Sequence, residues 1–421
     1  MTVILRLWGI LTKNTASKNG KNIMNVTIEK SKAVGTVDAP PSKSVSHRAL
    51  ICGALSGDAT INNIAYSEDV LATLGCLESL GANVEKGTNF VKLGGLNLKS
   101  IPDDCNMFCN ESGSTLRFFI PLCLLTGKKI VLSGSERLFE RPLSIYENIC
   151  KEQGIEFIKN STSLSVCGKL KAGEYTVPGN ISSQFITGLL FVLPMLEGDS
   201  KLIIEGKLES ASYIDLTLDV MKAFGVEIKR QDNVFYIKGG QRYERKDYTV
   251  EGDCSNAAFL EAFNYLGGQV EVNGIAEDTL QGDRAYLEMY KELKAGKKLF
   301  DITNTPDLAP VMFAMAAYFG GAEFVGTSRL KIKESDRAEV MSQELSKFGI
   351  EVKVFENSVK IENGEIKCPS SALNGHNDHR IVMALSLLCS VTGGTIEGAE
   401  AIKKSFPDYF EVIKRLGIKV N

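Results

Sequence analysis

Leu345-Ser346-Lys347-Phe348-Gly349-Ile350-Glu351-Val352 reads as the end of an amphipathic helix, a glycine, and a short β-branched strand. Val340, Met341, Leu345 and Phe348 recur at helical spacing. Gly349 then falls where a helix closes in the left-handed conformation, which glycine adopts without strain. The same arrangement returns in Leu77–Val84, Cys150–Phe157, Met221–Ile228 and Ile413–Val420, with a degraded copy over Tyr290–Phe300. The glycines stand at 81, 154, 225, 349 and 417, mostly about seventy residues apart, a longer period than the common solenoids have. One such copy is ordinary in an α/β protein. Regular recurrence predicts six βαβ-containing units, arranged as two domains of three units each.

Composition bounds the function. The chain has 421 residues, 44% hydrophobic and 24% charged, with a net charge of −3, so a nucleic-acid coat or a membrane-surface protein is not expected. No apolar run reaches transmembrane length. The ten cysteines are scattered without zinc or iron–sulfur spacing, which suits reduced thiols in the cytoplasm. With only His47, His376 and His379, a histidine-rich metal site is not expected either. Residues 1–23 differ from the rest: an apolar run, Val3–Leu11, precedes a polar stretch, Thr12–Asn22, and Met24 opens a strand-like run. They read as an N-terminal extension.

The chemistry concentrates where strands turn into helices. In Lys331-Ile332-Lys333-Glu334-Ser335-Asp336-Arg337, five of seven residues are charged. Arg329, Lys331 and Lys333 alternate with Leu330 and Ile332, which predicts a strand with one cationic face. A helix starting near Ser335 would put Lys333 and Arg337 beside its first turn, where free amides and the dipole favour anions. Glu334 would then be a carboxyl group inside a cationic site. Pro40-Pro41-Ser42-Lys43-Ser44-Val45-Ser46-His47-Arg48 has the same design, with Ser42 or Ser44 as cap and Lys43 and Arg48 converging on the helix start. So does Asn110-Glu111-Ser112-Gly113-Ser114-Thr115-Leu116-Arg117, where Gly113 permits close approach of a ligand. Glu140-Arg141-Pro142, Ser182-Ser183-Gln184, Ser210-Ala211-Ser212-Tyr213, Asn304-Thr305-Pro306-Asp307, Asn377-Asp378-His379-Arg380 and Lys404-Ser405-Phe406-Pro407-Asp408 add further polar helix starts. Each is weak alone. Together they predict two facing cationic surfaces and a substrate pair bearing several phosphates and carboxylates.

Lys43-Ser44 with Arg48, Ser182-Ser183-Gln184, Pro306-Asp307, Lys333 to Arg337, Asn377 to Arg380 and Phe406 to Phe410 resemble, in this order, the EPSP synthases of the enolpyruvyl transferase family. The resemblance runs from about Met24 to Asn421. It implies an α/β, two-domain enolpyruvyl-transferase fold, each domain built of three βαβαββ repeats in an inverted α/β barrel-like arrangement. It places one domain at 41–250 and the other at 24–40 with 251–421, crossing near Pro40 and Glu251, with the active site in the cleft. The activity implied is transfer of the enolpyruvyl group of phosphoenolpyruvate to the 5-hydroxyl of 3-phosphoshikimate, by addition and elimination. The resemblance further implies a cytoplasmic monomer in the shikimate pathway, a glyphosate target, with no cofactor or metal and no nucleic-acid or membrane partner.

Carried over residue by residue, Lys43, Ser44, Arg48, Ser182, Ser183, Gln184, Ser210, Asp307 and Lys333 resemble the 3-phosphoshikimate site. Lys43, Gly113, Arg141, Gln184, Arg337, Arg380 and Lys404 resemble the phosphoenolpyruvate site. Asp307 resembles the base and Glu334 the acid. Glu111 stands where the family usually has Asn, and would repel a phosphate unless it turns away or pairs with a cation such as Arg117. Arg329 stands where some members have Asn. Two other readings are a transferase acting on UDP-N-acetylglucosamine, which uses a loop cysteine as acid, and a non-catalytic anion-binding scaffold.

Overall fold

The computed structural model describes residues 23–421. The extension expected over 1–23 therefore lies outside the described residues, but for its last position. Among the described residues the strands fall into six sheets. One pairs Cys105–Phe108 parallel to Lys129–Ser133, which is followed antiparallel by Ser163–Cys167 and then Glu156–Lys159. Glu174–Pro178, Ser200–Glu205, Val234–Ile237 and Lys229–Gln231 repeat that order. So do Leu299–Asp301, Ala322–Val325, Ser358–Ile361 and Val352–Val354. In each, one helix links the parallel pair and another, ended by a glycine, leads to the antiparallel pair, preceded in the first sheet by a short helix, Glu136–Glu140. This is the βαβαββ unit.

The remaining sheets are completed by strands from far along the chain. Tyr248–Thr249 supplies the parallel first strand beside Asp58–Asn62. Val34–Asp38 pairs with Gln269–Asn273, and Val26–Ile28 with Gly394–Glu397. The expected glycines close their helices with φ of 83° at Gly81, 68° at Gly154, 80° at Gly225, 84° at Gly349 and 96° at Gly417. A Cβ at these φ values would strain the backbone, which is why glycine marks the repeat.

The buried side chains form two hydrophobic clusters. One runs from Val45 to Val250. The other joins Val26, Ile28, Ala33 and Ala39 to residues from Cys254 to Ile418. Each encloses helices that are apolar nearly all round, such as Ser183–Val192 and Ala309–Tyr318, as helices at the centre of a core are. Where the chain passes between clusters, its two passages run side by side: Ser42 N donates to Glu251 O at 2.8 Å and Asp253 N to Pro40 O at 2.8 Å.

One element differs from expectation. Ser328–Ile332 is a 3₁₀ turn rather than a strand with a cationic face. Gly326, at φ 79°, turns the chain out of the Ala322–Val325 strand. Leu330 alone anchors the turn in the core. The carbonyls a sheet would pair are satisfied from the other half: the Arg137 guanidinium donates to Lys331 O at 3.0 Å, Lys333 O at 3.2 Å and Glu334 O at 3.3 Å. The next helix begins at Arg337, capped by Asp336, so Ser335 precedes it and donates instead to Asp378.

Candidate active site

The polar helix starts converge on one cavity between the two clusters. Ser42, Ser112 and Ser182 each cap a helix by accepting a backbone amide proton, at 3.5, 3.2 and 3.3 Å. Capping fixes where each chain enters its helix, and so aims Lys43 and Ser44, Gly113 and Ser114, and Ser183 and Gln184 into the cavity. From the other cluster, the turns Pro306–Leu308 and Ser328–Ile332 and the start of helix His379–Thr392 bring Asp307, Arg329, Lys333, Glu334 and Arg380. Ser210 was expected to present a hydroxyl at a helix start. It lies at φ 56° without capping, its amide held by Asn304 Oδ1 at 2.9 Å and its hydroxyl accepting from Arg329 at 3.0 Å.

Seven cations line the cavity, Lys43, Arg48, Arg117, Arg141, Arg329, Lys333 and Arg380, against four carboxylates, Asp69, Asp253, Asp307 and Glu334. The excess selects anions. Some cations are partly satisfied: Lys43 Nζ lies 2.8 Å from Asp69 and Arg329 Nε 2.6 Å from Glu209. Arg48 is held by neutral groups, donating to Thr217 Oγ1, Ser44 O and Tyr213 O. Arg117 donates to Gln184 Oε1 at 2.7 Å and Pro142 O at 3.1 Å. Among the described residues neither Arg117 nor Arg141 has a carboxylate within ion-pair distance, and both are buried. Buried guanidinium groups left without counter-charge favour a ligand carboxylate or phosphate, which they can grip with two parallel bonds.

The two expected carboxyls sit at the centre of this charge. Asp307 accepts from Arg337 at 2.8 Å, from Lys333 and Arg380 at 3.1 Å, and from the Tyr213 hydroxyl at 3.2 Å. Burial by itself would raise its pKa, but Arg380, Lys333 and Arg337 hold it well below the usual carboxylate range. Glu334 accepts from Arg337 at 2.8 Å. It too is raised by burial and more than offset, here by Arg337 and Arg141. Burial, with Lys43 and Arg380 nearby, keeps the His379 imidazole neutral.

Every expected 3-phosphoshikimate residue lines the cavity, as do Lys43, Gly113, Arg141, Gln184 and Arg380 of the phosphoenolpyruvate set. Arg337 and Lys404 do not. Arg337, 1% exposed, spends its fork on Asp307, Glu334 and Asp378 and stands behind the wall. Lys404 is engaged by Glu111. The expected partner of Glu111, Arg117, faces Gln184 instead. Sequence reasoning missed Asp69, Arg117, Tyr213, Asp253 and Arg329 as lining residues. Arg117 and Tyr213 stood in motifs already singled out. Asp69 gave no signal, because an acid in a first helical turn is ordinary.

Tyr213 links Asp307 to a third carboxyl, Asp283, with 3.2 Å to each. Asp283 also accepts from Ser255 and faces Asp253 and Arg380. Burial, then the charge of Asp307, pushes it up to about 6. Its folded value thus exceeds its unfolded one, so the stability it contributes is full below the ordinary carboxylate range and is lost as pH rises through about 6. Asp283→Asn, which never ionises, should therefore gain melting temperature relative to the parent between about pH 4 and pH 8. A difference independent of pH would contradict this.

Comparison with known proteins shows the family. The family model described as EPSP synthase (3-phosphoshikimate 1-carboxyvinyltransferase) matches residues 28–413. The 3-phosphoshikimate 1-carboxyvinyltransferase of Clostridium kluyveri is 41% identical over 419 residues, covering 94% of this chain and 98% of that protein. The enzyme of the same name from Clostridioides difficile is 40% identical over 435 residues, with the same coverage of each. An EPSP synthase structure from Acinetobacter baumannii superposes with a TM-score of 0.76 over 94% of this chain and 99% of that one, at 23% identity, a likeness of fold. With a family match over nearly the whole described chain and relatives of about 40% identity along their full length, the chain belongs to the EPSP synthase family.

Proposed function

We propose that this chain transfers the enolpyruvyl group of phosphoenolpyruvate to the 5-hydroxyl of 3-phosphoshikimate, releasing phosphate, in the cleft between domains 41–250 and 24–40 with 251–421. The observation that carries the reading is the pair of buried, carboxylate-free guanidinium groups, Arg117 and Arg141, facing two carboxyls set among cations. In the addition step the 5-hydroxyl oxygen bonds to C2 of phosphoenolpyruvate, C3 gains a proton, and the hydroxyl proton leaves. In the elimination step the methyl group gives up a proton, the double bond re-forms and phosphate departs. Asp307 is assigned the hydroxyl proton and Glu334 the proton at carbon. Both are held ionised by their cations. An anion sharing Arg141, Lys333 or Arg380 would weaken that hold and raise both carboxyls toward working values. Lys43, Ser44, Arg48, Ser182, Ser183, Gln184, Ser210 and Lys333 are assigned to 3-phosphoshikimate. Gly113, Arg141 and Arg380, with Lys43 and Gln184, are assigned to phosphoenolpyruvate, as is Lys404 once Glu111 yields it, and Arg337 supports it from behind.

Phosphate release from phosphoenolpyruvate tests the reading. It should require 3-phosphoshikimate and should not occur with UDP-N-acetylglucosamine. No cysteine lines the cavity among the described residues, so the loop acid of that second transferase has no counterpart. A non-catalytic scaffold would release none with either acceptor. The cytoplasmic, monomeric state belongs to the same proposal, and light scattering on the purified chain tests the monomer.

Gly113→Ala tests the phosphoenolpyruvate side. A Cβ there would lie 2.5 Å from Arg141 Nη1 and 2.7 Å from its Cζ, so the guanidinium must move. The KM for phosphoenolpyruvate should rise roughly tenfold or more, since ångström misplacement of a binding group is costly. The KM for 3-phosphoshikimate should stay within about twofold, and inhibition by glyphosate should weaken more than catalysis. Equal effects on both KM values would mean that the glycine serves only the turn.

A further inference from the structure

Glu111 and Lys404 meet across the cleft. Glu111 immediately precedes Ser112, the cap of helix Gly113–Cys123, in one half of the molecule. Lys404 ends the turn Ala399–Lys404 in the other. Lys404 Nζ donates to Asn377 O and pairs with Glu111 Oε2, and Asn377 Nδ2 donates to both Glu111 oxygens, at 3.1 and 2.9 Å. The three residues thus close a ring. Asn377 is set for it by a left-handed backbone, φ 52°, which asparagine tolerates better than most residues. The Lys404 side chain is only 6% exposed and that of Glu111 15%.

We propose that Glu111 is a specificity-determining residue, an internal carboxylate that competes with the small anionic substrate for Lys404. The inference rests on the assignment of phosphoenolpyruvate to this cleft. An anion reaching Lys404 must either displace Glu111 or lie beside its negative charge. Both outcomes reduce affinity for a phosphate or carboxylate on this side of the cavity. They leave the opposite side, around Arg48 and Ser182, untouched. Glu111 also carries negative charge between two surfaces on which cations outnumber carboxylates, and its contacts with Lys404 and Asn377 tie one half to the other.

Glu111→Gln keeps the side-chain shape and an acceptor for Asn377 but removes the charge. Inorganic phosphate, titrated by calorimetry in the presence of 3-phosphoshikimate, should bind at least about tenfold more tightly to the variant. The KM for phosphoenolpyruvate should fall in parallel, and the KM for 3-phosphoshikimate should not. In a Lys404→Met background the same change should alter phosphate binding by less than about twofold. Unchanged or weaker binding in Glu111→Gln would overturn the proposal, because Glu111 would then merely orient Lys404. An equal gain in both backgrounds would overturn it too. If Glu111→Gln folds poorly, Glu111→Asp retracts the carboxylate by one methylene and should give a smaller gain of the same sign; a loss would again overturn it. Should the unmodified chain release no phosphate from phosphoenolpyruvate with 3-phosphoshikimate, the proposed reaction falls, and the inorganic phosphate titrations still decide the competition at Lys404.

Discussion

Asp307→Asn should lower turnover by roughly 10²–10⁴-fold, the range that loss of a positioned acid or base produces. The amide cannot take the hydroxyl proton. It also ceases to neutralise Lys333, Arg337 and Arg380, which approach the carboxylate at 2.8–3.1 Å. Removing one partner from a buried ionic cluster costs about 3–5 kcal/mol, so global stability should fall as well. Glu334→Gln should lose turnover on the same scale and stability much less, because it pairs with Arg337 alone. Affinity for 3-phosphoshikimate should survive better in Glu334→Gln, since it is Asp307 that is assigned to contact with the acceptor. If Glu334 merely braces Arg337, the variant keeps near-normal turnover at saturation and loses anion binding, which rules it out as the acid. Calorimetric binding and steady-state rates on the two variants separate these outcomes.

Arg337→Lys should behave as a disruptive substitution despite keeping the charge. Arg337 is 1% exposed, and its Nε, Nη1 and Nη2 reach Asp378 at 2.9 Å, Asp307 at 2.8 Å and Glu334 at 2.8 Å. A planar fork serves three carboxylates in three directions. A lysine ammonium is a single point and cannot span them. At least one buried carboxylate is left without a cation, at a cost of about 3–5 kcal/mol. Without that cation, Asp307 and Glu334 also rise toward the usual carboxylate range. Their depressed values mean that the stability they contribute is present above the ordinary carboxylate range and is lost as pH falls through the folded values. Acid unfolding of Arg337→Lys should therefore begin at higher pH than in the parent. Denaturant titrations across the acid range measure both effects, and an unchanged acid midpoint would show that Arg337 is not the shared counter-ion.

The elements legible in advance were those set within a few residues of chain. Gly81, Gly154, Gly225, Gly349 and Gly417 announced the helix ends because a left-handed φ is a local demand. Ser42 announced a helix start because a cap bonds two or three residues ahead, and Ser112 and Ser182, in polar helix starts of the same design, cap theirs as well. Taken together, all the polar helix-start motifs contained most of the residues that line the cavity. Ser328–Ile332 was misread because alternation of charge and apolar groups fits a strand and a short turn with one core anchor equally well. What decided it was Arg137, nearly two hundred residues away, bonding the carbonyls of Lys331 in the turn and of Lys333 and Glu334 just after it.

By itself, then, the amino-acid sequence determined the repeat, the positions of the helix ends and the chemical character of the cleft, since each depends on backbone and side-chain preferences acting over one turn. Only the tertiary structure decided which cation meets which carboxylate. Arg337 spent behind the wall, Lys404 held by Glu111, and Tyr213 strung between Asp307 and Asp283 are all pairings of residues distant in the chain or drawn from different elements. Charge–charge energies depend on separation and burial, and neither exists until the two halves have packed.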